Sequence, residues 1–251
     1  MSRPASNEHP ILIAHRGWAA RFPENSLAAF GAAIAAGADE IEIDVWCSKD
    51  RVPFVCHDPT VDRVSNLRGA HDSLTLDELR RAQIRMPDGS LLPGTGFPTL
   101  EETLEFCTCY VPLNIHVKDP GPDGLIIRFL REYFRARTPP CGSYIAGDAA
   151  VLDAGRRIFP EMTRCCLEGQ DSGAGLLRNA LKFECGRLQF GRQGYTQADV
   201  DAARDAGLIT HLFWSDDATE IAELFGKGIL APLTNDIGQV RAGLRDRGLA
   251  D

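Results

Sequence analysis

Short apolar runs alternate with stretches of helical periodicity along the whole chain. The runs at Ile11–Ala14, Glu40–Val45, Pro112–Val117, Ser143–Ala146, Thr163–Leu167, Arg187–Phe190, Ile209–Trp214 and Ile229–Leu233 read as strands. Helical spacing follows in Pro23–Ala36, Thr99–Phe106, Asp123–Arg135, Asp148–Phe159, Gly173–Phe183, Gln197–Ala206, Ala218–Phe225 and Ile237–Arg247. Eight strands, each with a helix in the connection behind it, predict a closed parallel α/β barrel, the TIM (β/α)8 architecture. In the first unit Pro23 suits the opening turn of a helix, Leu27, Phe30, Ala33 and Ile34 share one face, and Gly37 is a stop. Gly207 and Gly226 are expected to close two later helices.

Two segments break the alternation. Val52–Cys56 is an extra strand with no helix before it, and Lys49-Asp50 offers the turn of a hairpin with the second strand. Residues 59–98 form a long excursion, with a short helix at Leu76–Gln83 and a Pro/Gly-rich stretch from Pro87 to Pro98. No internal repeat or low-complexity tract interrupts the pattern, so residues 1–251 are expected to form a single domain.

Composition narrows the function classes. No apolar run approaches the ~18–20 residues that cross a bilayer, so stable membrane insertion is not expected. The opening MSRPASNEHP has no signal-type apolar stretch, which makes the cytoplasm the default expectation. Eight cysteines in a chain of this length read as reduced thiols; Cys47, Cys56, Cys165 and Cys166 fall in strand-like runs, and Cys107-Thr-Cys109 lacks partners for a zinc site. A net charge of −8 without a basic stripe argues against a nucleic-acid partner. An anionic ligand must therefore be caught by local cations, for which Arg16 and Lys118 are the candidates.

The residues capable of chemistry cluster near the start. They are His15-Arg16-Gly17, Pro23-Glu24-Asn25, Glu42-Ile43-Asp44 and His57-Asp58, each where a strand or hairpin is expected to end. In a barrel of this type such ends meet at the catalytic rim. Side chains alternate across a strand, so Glu42 and Asp44 share the interior face, while Ile41, Ile43 and Val45 face the helices. Two carboxylates about 5 Å apart repel by roughly 3 kcal/mol at an effective dielectric of 20. Either a bound cation or a structural network with Arg16 and Lys118 offsets that repulsion; for a cation, a hard divalent ion such as Mg²⁺ or Ca²⁺ suits oxygen ligands. The same parity turns Asn114, His116 and Lys118 inward. Imidazoles titrate near pH 6.5, which fits His15 and His57 for proton transfer. His9, His71 and His211 lack such settings and read as structural.

Taken together, HRG-(x)5-PENS, GADEIEIDVWCSKD, VPFVCHDPTVDR, NIHVKD, FWSDD and LTND resemble the glycerophosphodiester phosphodiesterase family, from about residue 11 to residue 240. The resemblance implies metal-assisted hydrolysis of a small-molecule glycerophosphodiester to sn-glycerol 3-phosphate and an alcohol, a step of glycerol and lipid metabolism. It implies His15 and His57 as acid and base in either order, and Arg16 and Lys118 as phosphate contacts. It makes Glu42, Asp44 and the residue at position 116 the metal ligands. Trp214 either lies beside the alcohol group or packs at the barrel rim, and the excursion at 59–98 covers the barrel mouth. The family usually carries an acidic residue where this chain has His116. A neutral imidazole there removes one negative charge and shifts preference toward Mn²⁺ or Zn²⁺, or else His116 ligates nothing. Glu168 is then a substitute acidic ligand. A diesterase for sugar-phosphate or lysophospholipid esters, and a phosphodiester-binding barrel without turnover, are the alternative readings; no oligomeric state follows from the sequence.

Overall fold

The computed structural model describes residues 10–136 and 142–249; His9 lies outside them. Eight parallel strands form a ring: β1 (Ile13–His15), β2 (Glu40–Cys47), β3 (Leu113–Val117), β4 (Tyr144–Gly147), β5 (Arg164–Cys166), β6 (Arg187–Phe190), β7 (Ile209–Leu212) and β8 (Ala231–Thr234). Neighbours follow chain order, and β1 pairs with both β2 and β8, which closes the barrel. The helices between strands are α1 (Leu27–Ala35), α2 (Leu100–Cys107), α3 (Leu125–Ala136), α4 (Ala149–Ile158), α5 (Gly173–Lys182), α6 (Gln197–Asp205) and α7 (Ala218–Gly226); α8 (Ile237–Arg245) follows β8. The predicted (β/α)8 architecture is therefore the observed one.

Burial follows strand parity. Ile41, Ile43 and Val45 face outward and join Phe30, Leu100 and Leu104 in the main apolar cluster between sheet and helices. Every such side chain leaves water completely, at roughly 1.5–3 kcal/mol each. The helices begin where their sequences supply caps. Thr99 with Glu102, and Thr196 with Asp199, form reciprocal capping boxes, and Asp148, Asp217 and Asp236 each accept backbone N–H groups at their helix starts.

Helix α1 starts later than its apolar spacing predicts. Ser26 is its cap, accepting from the Ala29 N–H at 3.2 Å, so Pro23 lies ahead of the first turn. The cause is Asn25, whose backbone is left-handed (φ 55°) and whose amide is engaged by β2. A tertiary contact outweighs local propensity here. At the other end Gly37 (φ 83°) turns the chain as expected. Gly226 belongs to α7 itself, and the left-handed turn after it is made by Gly228 (φ 88°).

The extra strand, Pro53–Val55, runs antiparallel to the end of β2, with Val55 opposite Val45 and Pro53 opposite Cys47. This hairpin lifts β2 above the rim and starts the excursion. The excursion has its own apolar cluster around Phe54, Val61, Leu79, Ile84 and Phe97 and a short helix at Leu76–Arg80. It is fastened to β2 by the Trp46–His71 stack, with centroids 4.3 Å apart, and by His71 Nδ1 at 2.8 Å from the Cys47 carbonyl. The described cysteines are free, and Cys47, Cys56, Cys165 and Cys166 are buried. Among the described residues no helix is long and apolar enough to cross a membrane.

Candidate active site

β1 ends on His15, in register with Glu42 on β2, which in turn pairs with Asn114 on β3; Asp44 pairs with His116 one step higher. This register, with the hairpin that carries His57, brings His15, Glu42, Asp44, His57, His116 and Lys118 to the walls of a single pocket. It opens where the strands end, on the face that hosts the chemistry of such barrels.

Glu42, Asp44 and His116 form the floor of a potential cation site. Each offers a ligand atom, and these atoms lie within 4.8 Å of one another. His116 Nδ1 is 3.3 Å from Asp44 Oδ1 and 3.6 Å from Glu42 Oε1. Lys118 Nζ stands 2.8 Å from Asp44 Oδ1 and 3.0 Å from His116 Nδ1. Burial opposes the charge on Asp44, but His116, Lys118 and Arg16 together hold its carboxyl well below the usual range. Burial likewise opposes the charge on His116, but the nearby carboxylates of Asp44 and Glu42 outweigh it and raise the imidazole's pKa. Asp44 Oδ1 is buried and, though close to the ammonium, makes no hydrogen bond. With metal–ligand bonds of about 2.0–2.6 Å, three donors at this spacing fit a divalent cation. Glu168 is elsewhere, its Oε2 accepting from the Ala149 N–H at the start of α4.

Two neighbouring turns fix the carboxylates. Asn25 Nδ2 donates to Asp44 Oδ2 at 2.8 Å, and the Asp44 N–H donates to Asn25 Oδ1 at 3.2 Å. The Arg16 backbone is left-handed (φ 57°), and its N–H donates to Glu42 Oε2 at 3.1 Å. Gly17 (φ 79°) must be glycine, since a Cβ there would lie 2.7 Å from the Ala29 carbonyl carbon. The Arg16 guanidinium sits between Glu24 Oε1, at 2.9 Å, and Asp44 Oδ2, at 3.3 Å. It therefore lies behind the carboxylates instead of lining the pocket, whereas Lys118 lines it. The ion-pair network and the ligand cluster are built from the same residues.

The two histidines are held differently. His15 Nδ1 is 2.7 Å from Asn235 Oδ1, and Asn235 Nδ2 donates to Asp216 Oδ2 at 3.1 Å. That second bond fixes which way the amide faces, so Nδ1 carries the hydrogen and Nε2 keeps its lone pair, 3.9 Å from Glu42 Oε2. Burial is the main cause of a lowered pKa for His15, which favours the neutral ring. His57 Nδ1 is 2.6 Å from Asp58 Oδ1, and Arg63 Nε donates to the other Asp58 oxygen at 2.6 Å.

Asn235, Asp216 and Arg63 lie within LTND, FWSDD and HDPTVDR, but nothing in the sequence marks them individually as site residues. Near the mouth, Phe213 lines the pocket and meets the His15 ring edge-on, with centroids 5.2 Å apart. Trp214 instead lies beneath Arg192, whose guanidinium carbon is 5.9 Å from the ring centroid. Asp236 caps α8 and accepts from Trp18 Nε1 at 2.8 Å.

Comparisons with known proteins show the same barrel and a related sequence in its first half. The sequence model of the Glycerophosphoryl diester phosphodiesterase family matches residues 15–128. The chain is 38% identical over 129 residues to the glycerophosphodiester phosphodiesterase of Caldanaerobacter subterraneus subsp. tengcongensis, covering 49% of this chain and 53% of that one. It is 37% identical over 110 residues to the glycerophosphodiester phosphodiesterase of Bacillus altitudinis, covering 43% of this chain and 45% of that protein. The matches span about half the length of these relatives. Among solved structures, an Oleispira antarctica phosphodiesterase in complex with the product sn-glycerol-3-phosphate superposes with a TM-score of 0.82 at 22% identity, covering 94% of this chain and 97% of that one. The glycerophosphodiester phosphodiesterase of Agrobacterium tumefaciens gives 0.75 at 22%, covering 92% and 99%. At that identity the structures establish the shared barrel. The sequence matches go further: over residues 15–128 this chain is similar in sequence to the glycerophosphoryl diester phosphodiesterase family.

Proposed function

We propose that this protein hydrolyses glycerophosphodiesters to sn-glycerol 3-phosphate and an alcohol. The observation that carries the reading is the convergence of both imidazoles, the carboxylate pair and Lys118 on one pocket. The product bound to the Oleispira antarctica neighbour, which has the same fold, is consistent with it.

Each residue has a chemical part. His15 is neutral, with its Nε2 lone pair available, and acts as the base that takes a proton from the attacking hydroxyl. That hydroxyl is water or the vicinal hydroxyl of the glycerol. His57, oriented by Asp58, gives a proton to the departing alkoxide. Proton transfers of this kind contribute about 10²–10⁴-fold each. Lys118 places a positive charge against the phosphate oxygens, which gain charge as phosphorus becomes five-coordinate. Arg16 orients Asp44 from behind and balances the paired carboxylates. Phe213 forms an apolar wall beside His15, and Trp214 at the rim is the candidate contact for the alcohol.

Glu42, Asp44 and His116 would hold a divalent ion, which supplies Lewis-acid polarisation of a phosphate oxygen. Mg²⁺ and Ca²⁺ suit the two carboxylates, and the imidazole of His116 also admits Mn²⁺ or Zn²⁺. Phosphorus NMR of the protein mixed with glycerophosphocholine and these ions in turn tests the reading. Conversion to glycerol 3-phosphate is expected. A transient cyclic phosphate identifies the vicinal hydroxyl as first attacker. An unchanged substrate signal with every ion contradicts the assignment.

A further inference from the structure

Below the ligand cluster the barrel interior is filled by charged and aromatic groups that satisfy one another. Glu40 accepts from the Tyr144 hydroxyl at 2.7 Å and from Arg187 Nη1 at 2.9 Å, and the Arg187 guanidinium carbon lies 4.0 Å from the Tyr144 ring centroid. Asn114 stands beside this layer, in register with Glu42 on one side and Tyr144 on the other. It is 1% exposed, and neither its Oδ1 nor its Nδ2 has a hydrogen-bond partner. Yet it lines the same pocket as His15, Glu42 and His57. A buried carboxamide left wholly unpaired is costly and rare, so its partner is expected to arrive through the pocket.

The chemistry of that partner is restricted. A carboxamide presents one acceptor and one donor group side by side. Phosphate oxygens only accept, and a quaternary ammonium does neither. A hydroxyl does both, and a vicinal diol engages both atoms at once. Gln189, a second carboxamide at 5% exposure, lines the pocket as well.

We propose that Asn114 recognises the free hydroxyls of the glycerol moiety and makes the pocket selective for diol-bearing phosphodiesters over esters of simple alcohols. This rests on the diesterase reading above. A pocket built to bond a hydroxyl discriminates against the analogue that lacks it, because its own polar atoms then stay unpaired.

The test compares glycerophosphocholine with 2-hydroxypropylphosphocholine, which keeps the hydroxyl next to the ester but lacks the terminal one and so is no diol, in wild type, Asn114→Leu and Asn114→Ser. Wild type is expected to favour the glycerol ester. In Asn114→Leu the ratio of kcat/KM between the two substrates should fall by about ten- to hundredfold. Asn114→Ser, which retains a hydroxyl, should recover part of it and serves if the leucine variant does not fold. An unchanged ratio, with both substrates falling together or neither falling, overturns the proposal: Asn114 then bonds an ordered water only. If wild type cleaves neither substrate, the diesterase reading fails by itself. Calorimetric titration with sn-glycerol 3-phosphate then decides for Asn114: weaker binding by the variants supports the proposal, and equal binding, or none by wild type, overturns it.

Discussion

Arg63 and Glu24 are joined by a two-pronged bond, Nη1 to Oε2 at 2.7 Å and Nη2 to Oε1 at 2.8 Å, although 39 residues separate them. The same guanidinium donates through Nε to Asp58, the partner of His57. Glu24 also holds Arg16, which contacts Asp44. One arginine of the excursion thus ties the second histidine to the ligand cluster.

Loss of that tie is expected to act on chemistry more than on folding. Arg63 is half exposed, so its ion pairs contribute little stability, on the order of 1 kcal/mol or less. Arg63→Gln frees Asp58 and Glu24 to move, and should lower kcat by roughly ten- to hundredfold while KM changes less. Arg63→Lys should recover only part, since an ammonium cannot reproduce the fork. Steady-state kinetics with a melting curve checks this; a large drop in melting temperature with unchanged kcat would count against a positioning role.

Asn25 supports Asp44 through both ends of its amide. Asn25→Ala should therefore weaken divalent-ion affinity by about 10–100-fold, as losses of such supporting bonds do. Calorimetric titration with Mn²⁺ measures it directly. His116→Glu should move the preference toward Mg²⁺ and Ca²⁺, and matching affinities in wild type and variant would show that His116 is not a ligand.

The Glu40–Arg187 pair is buried within the barrel. Arg187→Met leaves a carboxylate without its cation in the interior, and should cost about 3–5 kcal/mol. Adding Glu40→Gln should restore most of that. Urea unfolding of the single and double variants distinguishes this from simple loss of packing, which the second substitution would not repair.

His211 is completely buried, and burial and Arg187 push its pKa well below 6.5. The unfolded chain takes up that proton near pH 6.5 and the folded chain does not. Stability supplied by the neutral ring is thus full above pH 6.5 and declines as pH falls toward the folded pKa, by about 1.4 kcal/mol per pH unit for one proton. His211→Gln should flatten the slope on the acid side, leaving the part due to His15, whose pKa is also lowered. Parallel slopes for the two proteins would refute the assignment.

Much of this was legible before folding, because alternation and strand ends carry the information. Glu42 and Asp44 could be placed inside from parity alone, and so could His116 and Lys118. The run at Ile209–Trp214 misled for a physical reason: the strand stops at Leu212, and it is Phe213 that shares the inner face with His211. Glu40 has the same parity as Glu42, but its partners Tyr144 and Arg187, and the His211 ring beside Arg187, come from three other strands and meet only when the barrel closes. Asn25 likewise betrays nothing locally; its contact with Asp44 is what delays α1. Arg63 lies in a segment with no periodicity, so only the fold reveals what it grips.

The measurement that bears most directly on the central claim is a crystal structure with sn-glycerol 3-phosphate and Mn²⁺. The phosphorus is expected between the imidazoles of His15 and His57, with the ion on Glu42, Asp44 and His116 and Lys118 against the phosphate. A phosphate bound away from both imidazoles, or an ion that ignores the carboxylate pair, would contradict the account.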